Sequence, residues 1–172
     1  MKLKLRRKHK KRLPSRVKLP IETPSALNVC WSMNFMSDAL TDRRKVRVFN
    51  VIDDCNREAL AIDSGLSYPA RTAVETLEKL KEEIGVPQYI RCDNGPKFIS
   101  KLFMNWCEKK HIEIKYTQPG KPMQNGYIEQ FNRFFGEDVL DAFYFNDLHQ
   151  LRTLSTKWMN DYNFNHPHKS LG

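Results

Sequence analysis

Two carboxylates constrain this chain more than any other feature. Asp93 ends the short apolar run Tyr89-Ile90 within Arg91-Cys92-Asp93-Asn94-Gly95-Pro96, where Asn-Gly-Pro predicts a turn after a strand. Thirty-five residues lie between it and Glu129, which follows a Pro- and Gly-rich loop and opens an apolar helix. An acid at a strand end and another on a later helix can both ligate a hard cation. Mg²⁺ takes oxygen ligands and is typically held by one or two carboxylates plus substrate phosphates. Two such ions, about 3.5–4 Å apart, can activate an attacking oxygen and stabilise a leaving one in phosphodiester displacement. That chemistry asks for a third carboxylate upstream. Taken singly, Asp93 is as readily a turn residue and Glu129 a solvated helix residue.

The periodicity around these acids predicts an α/β domain. Trp31, Met33 and Phe35 alternate with Ser32, Asn34 and Met36, a strand with Asn34 on its less apolar face. Lys45 to Ile52 is a second, β-branched strand. After the turn Asp53-Asp54-Cys55-Asn56, Glu58 to Asp63 returns as a third, completing an antiparallel meander. Ala73, Val74, Leu77, Leu80 and Ile84 form one stripe of a helix that Gly85 and Pro87 stop. Strand four, Gln88 to Arg91, delivers Asp93. A helix with Phe98, Leu102, Phe103, Trp106 and Cys107 follows, then a strand from Ile112 to Tyr116. The Glu129 helix carries Tyr127, Ile128, Phe131, Phe134 and Phe135, and a last helix spans about Asp147 to Tyr162. The order is βββαβαβαα, with Trp31, Trp106, Trp158 and the Phe cluster as core.

Charge divides the chain. Residues 1 to 18 hold ten Lys or Arg and no acid, and the remainder carries 19 basic against 20 acidic side chains, so the net charge of +9 belongs to the N-terminal run. Such a run repels itself and buries little apolar surface, so residues 1–27 are expected to be a flexible basic arm and linker, and 28–172 one domain. Nucleic acid is the anion that best suits Arg6, Arg7, Lys8, Lys10, Lys11 and Arg12, with binding that weakens as salt rises. A solvated basic tail is the plainer alternative. No apolar stretch approaches the roughly 20 residues of a membrane span, and no signal peptide is legible. Cys30, Cys55, Cys92 and Cys107 lack zinc or disulfide spacing, which predicts reduced, mostly buried thiols and a cytoplasmic protein.

In this order the residues resemble an insertion-sequence transposase, the second reading frame of the IS-three type, with a retroviral-integrase-like, ribonuclease H-like catalytic core. The anchors are Trp31-Ser32-Met33-x-Phe35, Val51-Ile52-Asp53-Asp54, Arg91-x-Asp93-Asn94-Gly95-Pro96, Gln118 to Asn132, and Asp161-Tyr162-Asn163. The likeness runs from about Arg6 to Gly172. It implies a five-stranded mixed sheet, three antiparallel strands and then two more, with helices on both faces. It also implies three acids on two Mg²⁺ or Mn²⁺ ions that cut and rejoin DNA. By motif position Asp93 is the second acid and Glu129 the third, both metal ligands, while the first position is Asn34.

That departure predicts impaired catalysis, because an amide offers a neutral carbonyl oxygen where two cations want a bridging anion. Asp38, four residues along the same strand face, stands about 13 Å away by strand rise, and Asp53 and Asp54 sit in a turn. Lys97 replaces an expected Glu, Gly136 an expected basic residue, and His166-Pro167-His168 an Arg-Pro-His. Lys97, Lys121 and Arg133 are candidate DNA contacts near the acids. Implied partners are DNA, as element ends and target, and further copies of this chain or an intact transposase with its upstream DNA-recognition segment. Nucleoid association is expected with these partners. Two functions stay open: a transposase-type core for metal-dependent strand transfer, impaired at Asn34, and a non-catalytic nucleic-acid-binding remnant.

Overall fold

The computed structural model describes residues 1–4, 21–118 and 120–165. In chain order the elements are β1 (Lys2–Leu3), β2 (Cys30–Ala39), β3 (Lys45–Asp53), β4 (Ala59–Gly65), α1 (Ala70–Ile84), β5 (Tyr89–Cys92), α2 (Lys101–Lys109), β6 (Glu113–Tyr116), α3 (Gly126–Phe135), β7 (Phe143–Tyr144) and α4 (Leu148–Asn165). A 3-10 turn, Pro122–Asn125, leads into α3, and a π-type turn, Gly136–Leu140, continues from it.

Five strands make one sheet in the order β4-β3-β2-β5-β6. β2 pairs antiparallel with β3, and β3 with β4, whereas β5 runs parallel to both β2 and β6. The fold class expected from the sequence, a ribonuclease H-like mixed sheet with helices on both faces, is the one observed. β3 is buried on both faces: Phe49 and Val51 pack with Leu77 and Phe103, and Val48 packs with Phe135 and Leu151. Ile52 meets Ile128, Phe131 and Tyr162 on that second face. Asn163 closes the far edge, accepting from the Ala59 amide at 2.8 Å and donating to the Ala59 carbonyl at 2.9 Å.

Three sequence expectations shift. The second helix begins at Lys101, not near Phe98, because the Ser100 hydroxyl caps it by accepting from the Phe103 amide. Phe98 lies in the preceding loop with its ring against Phe35, Phe49 and Phe103. Leu102 and Ile84, assigned to apolar stripes, are 48% and 45% exposed, since Phe103, Trp106 and Cys107, and Ala73, Leu77 and Leu80, already fill the buried faces. Asp53, expected in the turn, is the last residue of β3, and the turn begins at Asp54, with both carboxylates buried.

All four cysteines are free and buried. Among the described residues, no helix is long and apolar enough to cross a membrane. Arg6, Arg7, Lys8, Lys10, Lys11, Arg12, His166 and His168 lie outside the described residues. Ahead of them, β1 pairs with β7, and Lys4 reaches the Leu140 carbonyl at 2.8 Å and Asp38 at 3.3 Å.

Candidate active site

Strand register brings the first two positions together. β2 and β5 run parallel with Ser32 beside Arg91 as the last pair, Asn34 lies two residues further along β2, and Asp93 comes just past the end of β5. Side chains alternate along a strand, hence Ser32, Asn34 and Arg91 share one face of the sheet. Asp93 follows immediately after β5, where its Oδ1 accepts from the Gly95 amide at 2.7 Å. A side chain at Gly95 would come within 2.7 Å of the same oxygen, so a larger residue there would push the Asp93 carboxylate out of this position. Asn94 donates to the Thr117 carbonyl at 3.2 Å, fastening this turn to the chain beyond β6.

Glu129 is carried by α3, which packs on β2 and β3. Ile128, Phe131 and Phe135 on the same helix are fully buried, each worth roughly 1.5–3 kcal/mol relative to exposure. One turn beyond Glu129, Asn132 Oδ1 accepts from Asn50 Nδ2 at 2.8 Å, and Asn50 is the cross-strand partner of Asn34. The sheet position of Asn34 and the helix carrying Glu129 are therefore joined through one partly buried hydrogen bond. Glu129 itself is exposed, and desolvation by the packed surface beside it pushes its carboxyl above the ordinary range.

The donor set falls short of a two-ion site. Asn34 Oδ1 is neutral and accepts from the Phe35 amide at 2.7 Å. Asp38 is engaged by Lys4. Asp53 accepts from the Asn28 and Cys55 amides at 2.7 and 2.9 Å. Among the described residues, no group of three or more His, Cys, Asp or Glu side chains can hold a metal ion. Two carboxylates and an amide carbonyl fit a single oxygen-liganded cation completed by phosphate oxygens. They do not fit two cations that share a bridging carboxylate.

The sequence reading missed a buried polar network behind Asp93. Asp54 Oδ2 accepts from Arg91 Nη1 at 3.0 Å, the Ser32 hydroxyl at 2.8 Å and the Cys30 thiol at 3.2 Å. Burial pushes the Asp54 carboxyl up, and its hydrogen bonds and Arg91 only partly offset this. The available signal was Arg91 itself, a cation on an otherwise apolar strand two residues before Asp93. Also missed was the connector after the basic run. The Glu22 carbonyl accepts from Arg91 Nη2 at 3.0 Å, and Thr23 hydrogen-bonds the Tyr127 hydroxyl.

The basic candidates differ in their freedom. Lys97 Nζ lies 4.0 Å from the Phe35 ring centroid and 6.0 Å from that of Tyr68. Desolvation, with a smaller contribution from Arg47, lowers its pKa. Lys121 and Arg133 are exposed. Gly136 is buried at the junction of α3 with the π-type turn, where an added Cβ would stand 3.2 Å from Met36 Cε. The glycine thus sits under a core side chain.

Residues 24–122 match the family described as "Integrase core domain", and residues 110–172 match a second family of the same description. An uncharacterized protein of insertion element IS476 from Xanthomonas euvesicatoria is 36% identical over 172 residues, covering 99% of this chain and 49% of that protein. One from IS407 of Burkholderia multivorans is 35% identical, covering 98% of this chain and 61% of its own. The chain thus spans about half to three-fifths of the length of these curated relatives. The HTLV-2 integrase catalytic core domain, solved in complex with magnesium, superposes with a TM-score of 0.58 at 16% identity, covering 84% of this chain and 86% of that one.

Proposed function

Because the chain belongs to the integrase core domain family, we propose that it is the core segment of an insertion-sequence transposase, built to join DNA strands and impaired in that chemistry by Asn34. What supports this reading is the parallel pairing of β2 with β5, whose last pair, Ser32 and Arg91, lies two residues before Asn34 and Asp93, together with the packing of the Glu129 helix on β2 and β3. In a working core of this kind, paired divalent ions supply the charge that activates the attacking oxygen and stabilises the leaving one. Here Asp93 and Glu129 are the remaining metal ligands, and Asn34 occupies the place of the acid that would bridge.

DNA is the proposed partner. Lys121 and Arg133, both exposed, are the proposed phosphate contacts, with Arg6, Arg7, Lys8, Lys10, Lys11 and Arg12 adding a sequence-independent electrostatic contribution. Assembly with further copies or with an intact transposase fits a reaction on two DNA ends. The proposed domain division is residues 1–27 and residues 28–172.

Metal linkage tests the site reading. An ion that binds only the folded state raises stability by mass action. Adding Mn²⁺ or Mg²⁺ is expected to leave the melting temperature of this chain nearly unchanged and to raise that of Asn34→Asp. Equal shifts in both chains would mean that the amide is no lesion. No shift in either would favour a nucleic-acid-binding remnant.

A further inference from the structure

The connector residues Ile21 to Thr23 sit at a junction that neither the basic run nor the sheet explains. Ile21 Cδ1 fills the space over Gly126, the first residue of α3, so closely that a Cβ there would overlap it. The Tyr127 hydroxyl hydrogen-bonds Thr23 and also donates to the Ile21 carbonyl at 3.5 Å. On its other side the Tyr127 ring carries the Arg57 guanidinium, 3.6 Å from its centroid. Arg57 in turn donates to the Asp54 and Cys55 carbonyls at 2.8 and 2.9 Å. The Glu22 carbonyl meanwhile accepts from Arg91, two residues ahead of Asp93. One three-residue segment therefore touches both the strand that delivers Asp93 and the first turn of the helix that carries Glu129.

We propose that Ile21–Thr23 is a positioning strap of the site, fixing the first turn of α3 against the end of β5 and so setting where Glu129 stands relative to Asp93. The proposal rests on the reading of Asp93 and Glu129 as remaining metal ligands, and it moves the functional start of the core back from residue 28 to Ile21. The local chemistry explains why a strap is needed. The turn before α3 provides no side-chain cap, for Asn125 makes no capping bond and Lys121 none to the 3-10 turn. Helix starts without caps fray, and here an apolar side chain and a hydroxyl pair hold the start from outside. Gly126 suits this arrangement because its missing Cβ leaves room for Ile21.

The test uses the full chain and two readouts. Ile21→Gly removes the packing, Tyr127→Phe removes the hydroxyl but keeps the ring under Arg57, and Ile21→Val is the conservative rescue. The amides of Gln130 and Phe131 make the first intrahelical bonds of α3, to the carbonyls of Gly126 and Tyr127. In Ile21→Gly and Tyr127→Phe their hydrogen exchange is expected to quicken about tenfold or more, with Met33 and Val51 in the sheet unchanged. Ile21→Val should exchange like the parent. In the Asn34→Asp chain, Ile21→Gly is expected to weaken Mn²⁺ binding several-fold.

Unchanged exchange at Gln130 and Phe131 overturns the strap, as does an equal rise at Met33 and Val51, which would signal general destabilisation. Faster exchange with unaltered Mn²⁺ affinity also overturns it, leaving Ile21 as packing alone. If Asn34→Asp with its strap intact holds no Mn²⁺, the functional reading fails, and the exchange result alone decides whether the segment positions α3.

Discussion

Asn50 on β3 donates through Nδ2 to Oδ1 of Asn132 on α3 at 2.8 Å, so the residue directly across from Asn34 is also the one that fixes the helix of Glu129. Asn50 is fully buried, and its Oδ1 has no hydrogen-bond partner among the described residues. Removing one member of a buried pair leaves the other to carry its desolvation cost.

Asn132→Leu is therefore expected to lower stability by about 1–3 kcal/mol. Adding Asn50→Leu to it should recover part of that loss, because no buried amide is then left unpaired. Urea unfolding of the parent, both single variants and the double variant measures the coupling. Strictly additive losses would mean that the pair is not joined in solution.

Arg91 and Asp54 make a different kind of link, since an ion pair buried behind Asp93 is costly to break from one side. Arg91→Met is expected to lower stability at neutral pH by about 3–5 kcal/mol, as a buried carboxylate loses its counter-charge. Burial already raises the Asp54 pKa, so the folded state holds this proton more tightly than the unfolded chain. Its contribution to stability accordingly falls as pH rises from about 4, the unfolded value, through the higher folded one. Without Arg91 the folded value moves further up. The decline should then be steeper and extend to higher pH than in the parent. Denaturant midpoints between pH 4 and 8 check this, and parallel profiles for the two chains would refute it.

Much of this was legible in the sequence, for reasons that are local. Alternation in Trp31 to Met36 and the stripe Ala73-Leu77-Leu80 are direct prints of burial, and they placed β2 and α1. The pairing of Ser32 with Arg91 was less accessible, because β2 and β5 are distant in sequence and meet only in the folded sheet. Leu102 misled because apolar character does not state which side of a helix faces inward when Phe103 and Trp106 already fill the space. Asp53 and Asp54 read only as turn residues. Their partners, Arg91, Ser32 and the Asn28 amide, are remote in sequence and meet them only in the folded sheet. Gly136 read as a missing basic residue, yet its place under Met36 is a packing fact that the sequence position does not contain.

Lys97 and Lys121, the DNA-contact candidates of the sequence, differ in what already holds them. The Lys97 ammonium sits over Phe35, whereas Lys121 is exposed. Lys121→Gln is expected to reduce the slope of log affinity for duplex DNA against log salt by about 1, the mark of a single lost phosphate contact. Lys97→Gln should change that slope less and instead lower stability by about 0.5–2 kcal/mol through the lost cation–π contact. Salt titrations of a fluorescent duplex, alongside thermal melts, separate the two. The reverse pattern would assign Lys97 to DNA and Lys121 to neither role.

The central claim is that a complete integrase-core scaffold has lost one acid at Asn34, and strand nicking and strand transfer on plasmid and short duplex DNA with Mg²⁺ or Mn²⁺ test it most directly. Aspartate can accept the same hydrogen bond from the Phe35 amide that Asn34 accepts, so Asn34→Asp restores the charge without disturbing the strand. The account predicts metal-dependent nicking in Asn34→Asp, little or none in the unaltered chain, and its abolition when Asp93→Ala is added. Activity in the unaltered chain that Asp93→Ala removes would contradict the account, since another ligand would then complete the site.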